Sequence, residues 1–353
     1  MGEIEPMNEI LKSFGLSASE FSFERIGTGH IHQTFKLSGK DGKHYILQRI
    51  NKNVFKQPEV IASNLRIASE YLRLNFPGYN FLRCIAALDK SDLVYDDEDF
   101  PWRLFPYQSN TITIDSVENS EEAFRAAKGF AQLTAYLDRV DITKFRETIP
   151  KFHDLSLRYQ QFESAVKNVS DERLKAASDL IKMCKASYHH VVMYEKLIAS
   201  DSLRLRITHN DTKISNILFD KVSNEASLVI DLDTLMPGYF IYDLGDMIRT
   251  FVSPVTEEES DFSKIAVRKE IYDAVLEGYL SAMGDVLSID EQKAIPFAGK
   301  MMLFIMALRF LTDYLNGDVY YQTQYDGQNL VRAGNQMRLL ELLGAEVPDA
   351  FLL

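Results

Sequence analysis

Disulfide chemistry is all but absent from this chain. Its 353 residues include two cysteines, Cys84 and Cys184, far apart in the chain. No disulfide framework or CxxC zinc site can be built from such a pair, and a reducing compartment suits them. Positive charge is also short: 39 Lys and Arg stand against 51 Asp and Glu, a formal net charge of −12. Such a surface repels a phosphate backbone, which excludes a sequence-independent grip on nucleic acid and leaves a small ligand as the default partner. No leader is expected either, because MGEIEPMNEILKSFGL carries acids where a secretory signal is basic and has no continuous apolar core. The most apolar later stretch, residues 301–311, is interrupted by Arg309 and falls short of the ~20 residues that span a bilayer. The expectation is a soluble, cytoplasmic protein with no membrane partner, and no repeat or low-complexity tract breaks the chain.

What is present is enough apolar material for two cores. At 46% hydrophobic content and roughly 150 residues per domain, the length predicts a bilobed molecule. A short helix at 8–16 precedes a β-rich region in which Phe21, Phe23 and Ile26 alternate with polar residues, Gly27-Thr28-Gly29 breaks the pattern, and strands at 34–37 and 45–47 flank a glycine turn. A helix at 58–74 follows, then strands at 81–88 and 102–107 around the acidic turn 96–99. From Ser120, read as an N-cap, the pattern turns helical, with further helices at 154–169, 173–200, 267–283 and 291–315. The predicted class is α+β. A small β-rich N-terminal lobe with one helix spans 1–107, and a larger helical lobe spans 108–353, holding a hairpin at 217–231.

The chemistry concentrates in RITHNDTKISNILFD, followed by SLVIDLDTLMPG and YDLGDMIR. His209, Asp211 and Asn216 fall on a loop between apolar runs, and Asp231 closes the next strand. Moving a phosphoryl group requires an acceptor hydroxyl held in line, a carboxylate to take its proton, and divalent metal to neutralise phosphate oxygens. Asp211 suits the base, and Asn216 and Asp231 offer the oxygen ligands that Mg²⁺ prefers. Any one of them alone reads as a polar turn; an H-x-D-x-x-x-x-N string with an acid after the next strand reads as a site.

This pattern resembles the catalytic and metal loops of the aminoglycoside phosphotransferase and choline kinase branch of the protein-kinase-like fold, with HND where that family has HGD or HRD. Together with GTGHIHQTF, YILQRIN and RFLTDYLNGDVYY, it resembles the N-acetylhexosamine 1-kinases within that branch, over about residues 25–335. The resemblance implies a protein-kinase-like bilobed monomer that takes ATP and Mg²⁺ and phosphorylates the anomeric C1 hydroxyl of GlcNAc or GalNAc. The rival readings are a kinase for another alcohol (an aminoglycoside, choline, ethanolamine or homoserine) or an inactive nucleotide-binding regulator.

Carried over by position, the resemblance makes Asp211 the base, Asn216 and Asp231 the metal ligands, and His209 and Asp243 supports of the loop, with Asp233 an auxiliary ligand or a loop anchor. Gly27, Thr28, Gly29 and His30 stand where the family covers the nucleotide phosphates, with His30 and His32 in reach of phosphate or sugar. Gln48 stands where a lysine normally pairs with phosphate, and Arg49 or Lys52 is offered as a replacement charge. Residues 103–107 stand at the hinge, whose backbone, Phe105 and Tyr107 included, is expected to hydrogen-bond the adenine edge. Arg309, Tyr320 and Arg332 are the sugar contacts. Asp246 and Arg249 read as an exposed i,i+3 ion pair.

Overall fold

The computed structural model of the protein describes residues 4–26 and 32–348. The candidate phosphate loop residues Gly27, Thr28, Gly29 and His30 lie outside the described residues. Alternating apolar residues build an antiparallel sheet from β1 (Phe21–Ile26), β2 (Gln33–Gly39), β3 (His44–Arg49), β4 (Val94–Tyr95) and β5 (Pro101–Pro106), in the order β1-β2-β3-β5-β4. Its register sets Thr34 opposite Gln48 and Gln48 opposite Arg103. One face of the sheet packs Phe35, Leu37, Leu47, Trp102 and Leu104 against Met7, Ile10 and Leu11 of α1 (Ile4–Ser13), forming a core of its own. The expected strand at 81–88 does not form. Its one ladder contact is a bridge from Ile85 to Leu104, because the Ala87 amide turns back to Ser91 O instead.

Helix α2 (Pro58–Asn75) opens with proline at its first position, where the missing N–H costs nothing. Its apolar face, Ile61, Leu65, Ala68 and Leu72, enters the second and larger core together with Ala127, Phe130 and Leu133 of α3 (Ser120–Tyr136). The N-cap of α3 is Asn119, whose side chain accepts from the Glu122 amide at 3.0 Å, so Ser120 is already inside the helix.

After α4 (Leu155–Asn168), the stretch read as one helix is three, α5 (Asp171–Ala176), α6 (Ser178–Ala186) and α7 (His189–Ala199). Apolar spacing continues in phase across both breaks, which hides them from periodicity. Further on lie α8 (Phe240–Phe251), α9 (Lys269–Met283), α10 (Ile289–Lys293) and α11 (Ile295–Leu315). The break between the last two follows a Ser288/Glu291 capping box, with Pro296 in the first turn of α11.

The charge at Arg309 does not end α11, which runs 21 residues and is long and apolar enough to cross a bilayer by length and composition; 83% of its apolar window is buried inside the protein. Helices α4 and α8 pack on it, as does α12 (Gln328–Glu346), an element missed in sequence because its buried face includes Gln328, Asn329, Asn335 and Gln336. Gly245 permits the close approach of α8, since a Cβ there would strike the Ala298 carbonyl.

Candidate active site

The site is built where the strands of the larger lobe end. A short strand β6 (Thr111–Ile112) edges the hairpin of β8 (Ile217–Asp220) and β9 (Ala226–Val229), while β7 (Arg206–Thr208) pairs with β10 (Met236–Gly238). Residues 209–216 leave β7 and enter β8, and residues 230–235 leave β9 and enter β10. The Ile230 amide donates to Asn216 O at 2.9 Å, which sets these two crossings side by side and brings Asn216 next to Asp231.

The first crossing is tied down from below. Asp243, fully buried on α8, accepts from the amides of His209 (3.0 Å) and Asn210 (2.7 Å). Thr212 Oγ1 donates to the Asp243 carbonyl at 2.7 Å. Burial raises the Asp243 carboxyl above its ordinary range against the pull of His209 and these amides. His209 accepts from the Asp211 amide at Nδ1 (3.2 Å), so its Nε2 carries the proton and donates to Ile230 O at 2.9 Å, stapling one crossing to the other. Asn210 holds a left-handed φ of 66° while its side-chain nitrogen donates to Thr208 O and Thr234 O. His153, which the sequence did not single out, sits beneath with Nε2 2.9 Å from Asn210 O. Burial drives its pKa down to about 3, so the ring is neutral and donates.

Asp211 emerges above this base. Asn216 Nδ2 donates to its Oδ2 at 3.0 Å and its carbonyl at 2.8 Å, and Lys213 Nζ lies 3.2 Å from Oδ1. Burial pushes the Asp211 carboxyl up, but Lys213 and then His209 outweigh it and hold the group below the usual carboxylate range. Asp231 takes a left-handed φ of 54°. Its side chain meets solvent in the cleft, yet the surrounding protein, followed by Asp233 and Asp211, raises its carboxyl above the ordinary value.

Asp233 is placed differently. It is buried, with Oδ1 2.5 Å from Arg103 Nη1 and Oδ2 2.6 Å from His32 Nε2. Burial opposes ionisation, but Arg103 and then His32 keep this carboxyl far below its ordinary range. His32, Asp231 and Asp233 bring potential ligand atoms within 4.8 Å of one another. In this arrangement His32 is spent, since its Nδ1 accepts from the Asn51 amide (3.1 Å) and its ring stacks on Phe55. The expectation that His32 reaches phosphate or sugar is therefore replaced by a tie to Asp233.

Three other expectations change. Gln48 presents no free amide to phosphate: its Oε1 accepts from Arg103 Nε (2.9 Å) and Nη2 (2.5 Å), and its nitrogen donates to Thr34 Oγ1 (3.0 Å). Neither proposed replacement charge turns inward, because Arg49 pairs with Asp96 and Glu98 while stacking on Phe100, and Lys52 caps the carbonyls of Glu98 and Asp99. At the hinge, Phe105 lies opposite Ile46 in the sheet and the Tyr107 amide donates to His44 O, which occupies that donor.

On the far side of Asp211 the helices assemble a wall of rings and charges. Phe152 packs against His153 with ring centres 4.3 Å apart and the rings tilted by 49°, and the Arg309 guanidinium lies over Phe152 (4.9 Å), Tyr321 (5.6 Å) and Tyr320 (5.8 Å). Among the described residues no carboxylate pairs with Arg309. Nearby Arg158 is pulled down to about 10 by burial and by Arg309. Arg332 covers Phe310 at 3.9 Å and Tyr321 at 5.2 Å and pairs with Glu257. Thus Arg309, Tyr320 and Arg332 do converge, around Tyr321. Asp246 and Arg249 are not a surface pair: both are buried, joined at 2.8 Å, and Arg249 continues to Glu257 at 2.7 Å.

Burial works against the Glu257 carboxylate, yet Arg249 and Arg332 bring it down to about 2 from its ordinary 4.5. A depressed carboxyl stabilises the fold fully above its unfolded pKa and loses that contribution as pH falls through the folded one. The Tm gap between wild type and Glu257→Gln is therefore expected to be constant above about pH 5 and to close between 4.5 and about 2; a gap that widens on acidification would contradict the pairing.

A family model described as "Phosphotransferase enzyme family" matches residues 22–285. The chain belongs to this family. It is a phosphotransferase. Solved structures agree in fold. A microcompartment-associated aminopropanol kinase is 16% identical, with a TM-score of 0.67 over 96% of this chain and 97% of that one. A spectinomycin phosphotransferase, solved with ADP and spectinomycin, is 15% identical at TM-score 0.61, covering 96% and 97%. An ethanolamine kinase of Plasmodium vivax is 13% identical at TM-score 0.56, covering 90% and 83%. The protein-kinase-like architecture, an antiparallel sheet beside a helical lobe, is common to them.

Proposed function

We propose that this phosphotransferase moves the γ-phosphoryl of ATP onto the anomeric C1 hydroxyl of an N-acetylhexosamine, GlcNAc or GalNAc, with Mg²⁺. The observation that carries the reading is the guanidinium of Arg309, set among Phe152, Tyr320 and Tyr321 without a carboxylate partner among the described residues. An ammonium group, such as ethanolamine brings, meets like charge from Arg309 and Arg158 there. A neutral sugar instead lays an apolar face on the rings and offers hydroxyls to the arginines. Buried polar atoms at this wall, Tyr321 OH, Arg332 Nε and Asp246 Oδ2, have no hydrogen-bond partner among the described residues, which suits a ligand rich in hydroxyls and an amide.

In this reading Asp211, kept ionised by Lys213 and oriented by Asn216, accepts the hydroxyl proton as the bond to phosphorus forms. Mg²⁺ fits the residues present. Asn216 commits its nitrogen to Asp211 and leaves Oδ1 as an oxygen ligand, and Asp231 is a cleft carboxylate crowded by two others, a repulsion that a cation relieves. Bound there, the ion neutralises charge on the phosphate oxygens. We place the enzyme in the cytoplasm as a monomer, in keeping with two free cysteines whose thiols burial pushes up to about 12.

The test is ATP turnover against GlcNAc, GalNAc, their methyl glycosides, ethanolamine, choline and an aminoglycoside. Expected is a sugar 1-phosphate from the free sugars and none from the glycosides; turnover of an amino alcohol with no sugar turnover overturns the reading. Arg309→Met should raise the sugar KM about 10- to 100-fold, the worth of one charged hydrogen bond, and leave the ATP KM within twofold.

A further inference from the structure

A kinase of the ordinary pattern joins a strand lysine to a helix glutamate across the small lobe. Neither partner is here. Gln48 holds the strand position, and α2 presents Glu59, which accepts from Tyr95 OH, and the exposed Glu70. The buried polar residue of α2 is Asn64, whose side chain donates to Leu235 O at 3.0 Å and to Arg146 O at 2.8 Å. Three elements of the N-terminal part thus converge on residues 233–235: Arg103 from β5, His32 ahead of β2, and Asn64 from α2. Arg103 is the strongest of them. It is only 3% exposed, its guanidinium is braced on the strand opposite by two bonds to Gln48 Oε1, and Gln48 is braced in turn by Thr34.

We infer that Arg103 is a positioning residue for phosphoryl transfer: braced by Gln48, it fixes the Asp231 segment through Asp233 and keeps Asp233 out of the cleft. The inference rests on Asp231 as the metal-holding carboxylate. A buried ion pair is a poor source of stability, because apolar residues of like volume serve as well or better, so charge at this place points to a task that needs charge. Asp231 supplies the task. Its left-handed backbone must be held from outside, and a released Asp233 two residues away turns a second carboxylate toward it. With both Asp233 oxygens engaged by Arg103 and His32, Asp231 is the carboxylate that this loop shows to the cleft.

The test uses the full chain with Arg103→Met, Arg103→Lys, Asp233→Asn and the control Asp231→Asn. Mn²⁺ is titrated by electron paramagnetic resonance in the presence of a non-hydrolysable ATP analogue, alongside steady-state kinetics and melting curves. Expected for Arg103→Met are Mn²⁺ affinity at least 10-fold weaker, kcat/KM for Mg·ATP about 100-fold lower, and acceptor KM within threefold, with Arg103→Lys recovering part of both losses. Mn²⁺ affinity and kcat/KM within threefold of wild type in Arg103→Met, with a lowered Tm alone, overturn the inference and leave a structural pair. If Arg103→Met does not fold, Arg103→Lys and Asp233→Asn are read against the same threefold limits. Unchanged Mn²⁺ affinity in Asp231→Asn overturns the metal reading and this inference with it; lost affinity there beside normal affinity in Arg103→Met overturns this inference alone.

Discussion

Asp211→Asn is expected to fold, to bind ATP with a Kd near that of wild type, and to turn over about 10³- to 10⁴-fold more slowly, the upper range for losing a general base. The amide is isosteric, so Asn216 Nδ2 still finds an oxygen at 3.0 Å and the loop keeps its shape. What disappears is the proton acceptor. Because Lys213 and His209 depress the Asp211 carboxyl against its burial, the wild-type group is ionised throughout the neutral range, and its titration should impose no acid limb on kcat/KM above the ordinary carboxylate range. Stopped-flow turnover with calorimetric nucleotide binding checks both halves. A kcat within tenfold of wild type would remove Asp211 from the role.

Asp243→Ala should damage the protein in another way, through stability first and rate second. It strands the amides of His209 and Asn210, now held at 3.0 and 2.7 Å by one buried carboxylate. Each orphaned buried donor costs about 1–3 kcal/mol. Their sum, about 2–6 kcal/mol, corresponds to a fall in Tm of about 3–8 °C for a chain of this size. Thr208, His209, Asn210 and Thr212 form one buried polar layer with Asp243, so the loss also loosens the strand end that aims Asp211. Asp243→Asn keeps one acceptor and should fall between the two. Scanning calorimetry decides it: a Tm within 2 °C of wild type would mean that the loop is held by something else.

The order of elements and the core of the site were legible because their signals are local. Alternation in β1 to β3, the helical spacing of α2 and α3, and the H-x-D-x-x-x-x-N string each declare themselves within a dozen residues. What stayed hidden depends on packing between distant elements. The spacing of Asp246 and Arg249 announces a pair but says nothing of its burial, which comes from α11 packing on α8 and from Gln336 of α12 reaching Arg249. Arg103 reads as one more residue of a hinge strand until the sheet register sets it opposite Gln48. His32 follows a glycine-rich stretch and so suggests phosphate, but its ring is drawn instead to an acid some two hundred residues away in the chain. Helix α12 escaped notice for a related reason: its hidden face carries amides that bind other elements, such as Asn335 to the carbonyls of Thr256 and Glu259, and the eye trained on apolar spacing passes over them.

The left-handed residues Asn210 and Asp231 carry a last consequence. Glycine adopts that backbone freely, whereas any side chain there is strained, Asn and Asp least among the non-glycine residues. On folding grounds alone both positions invite glycine, and a screen for thermostability should be drawn to them. At 231 the gain would come with the loss of the cleft carboxylate; at 210, with the loss of the side-chain bonds to Thr208 and Thr234. Robustness and turnover therefore pull in opposite directions at two identifiable residues, and hardening this enzyme by directed evolution should begin with both of them held constant.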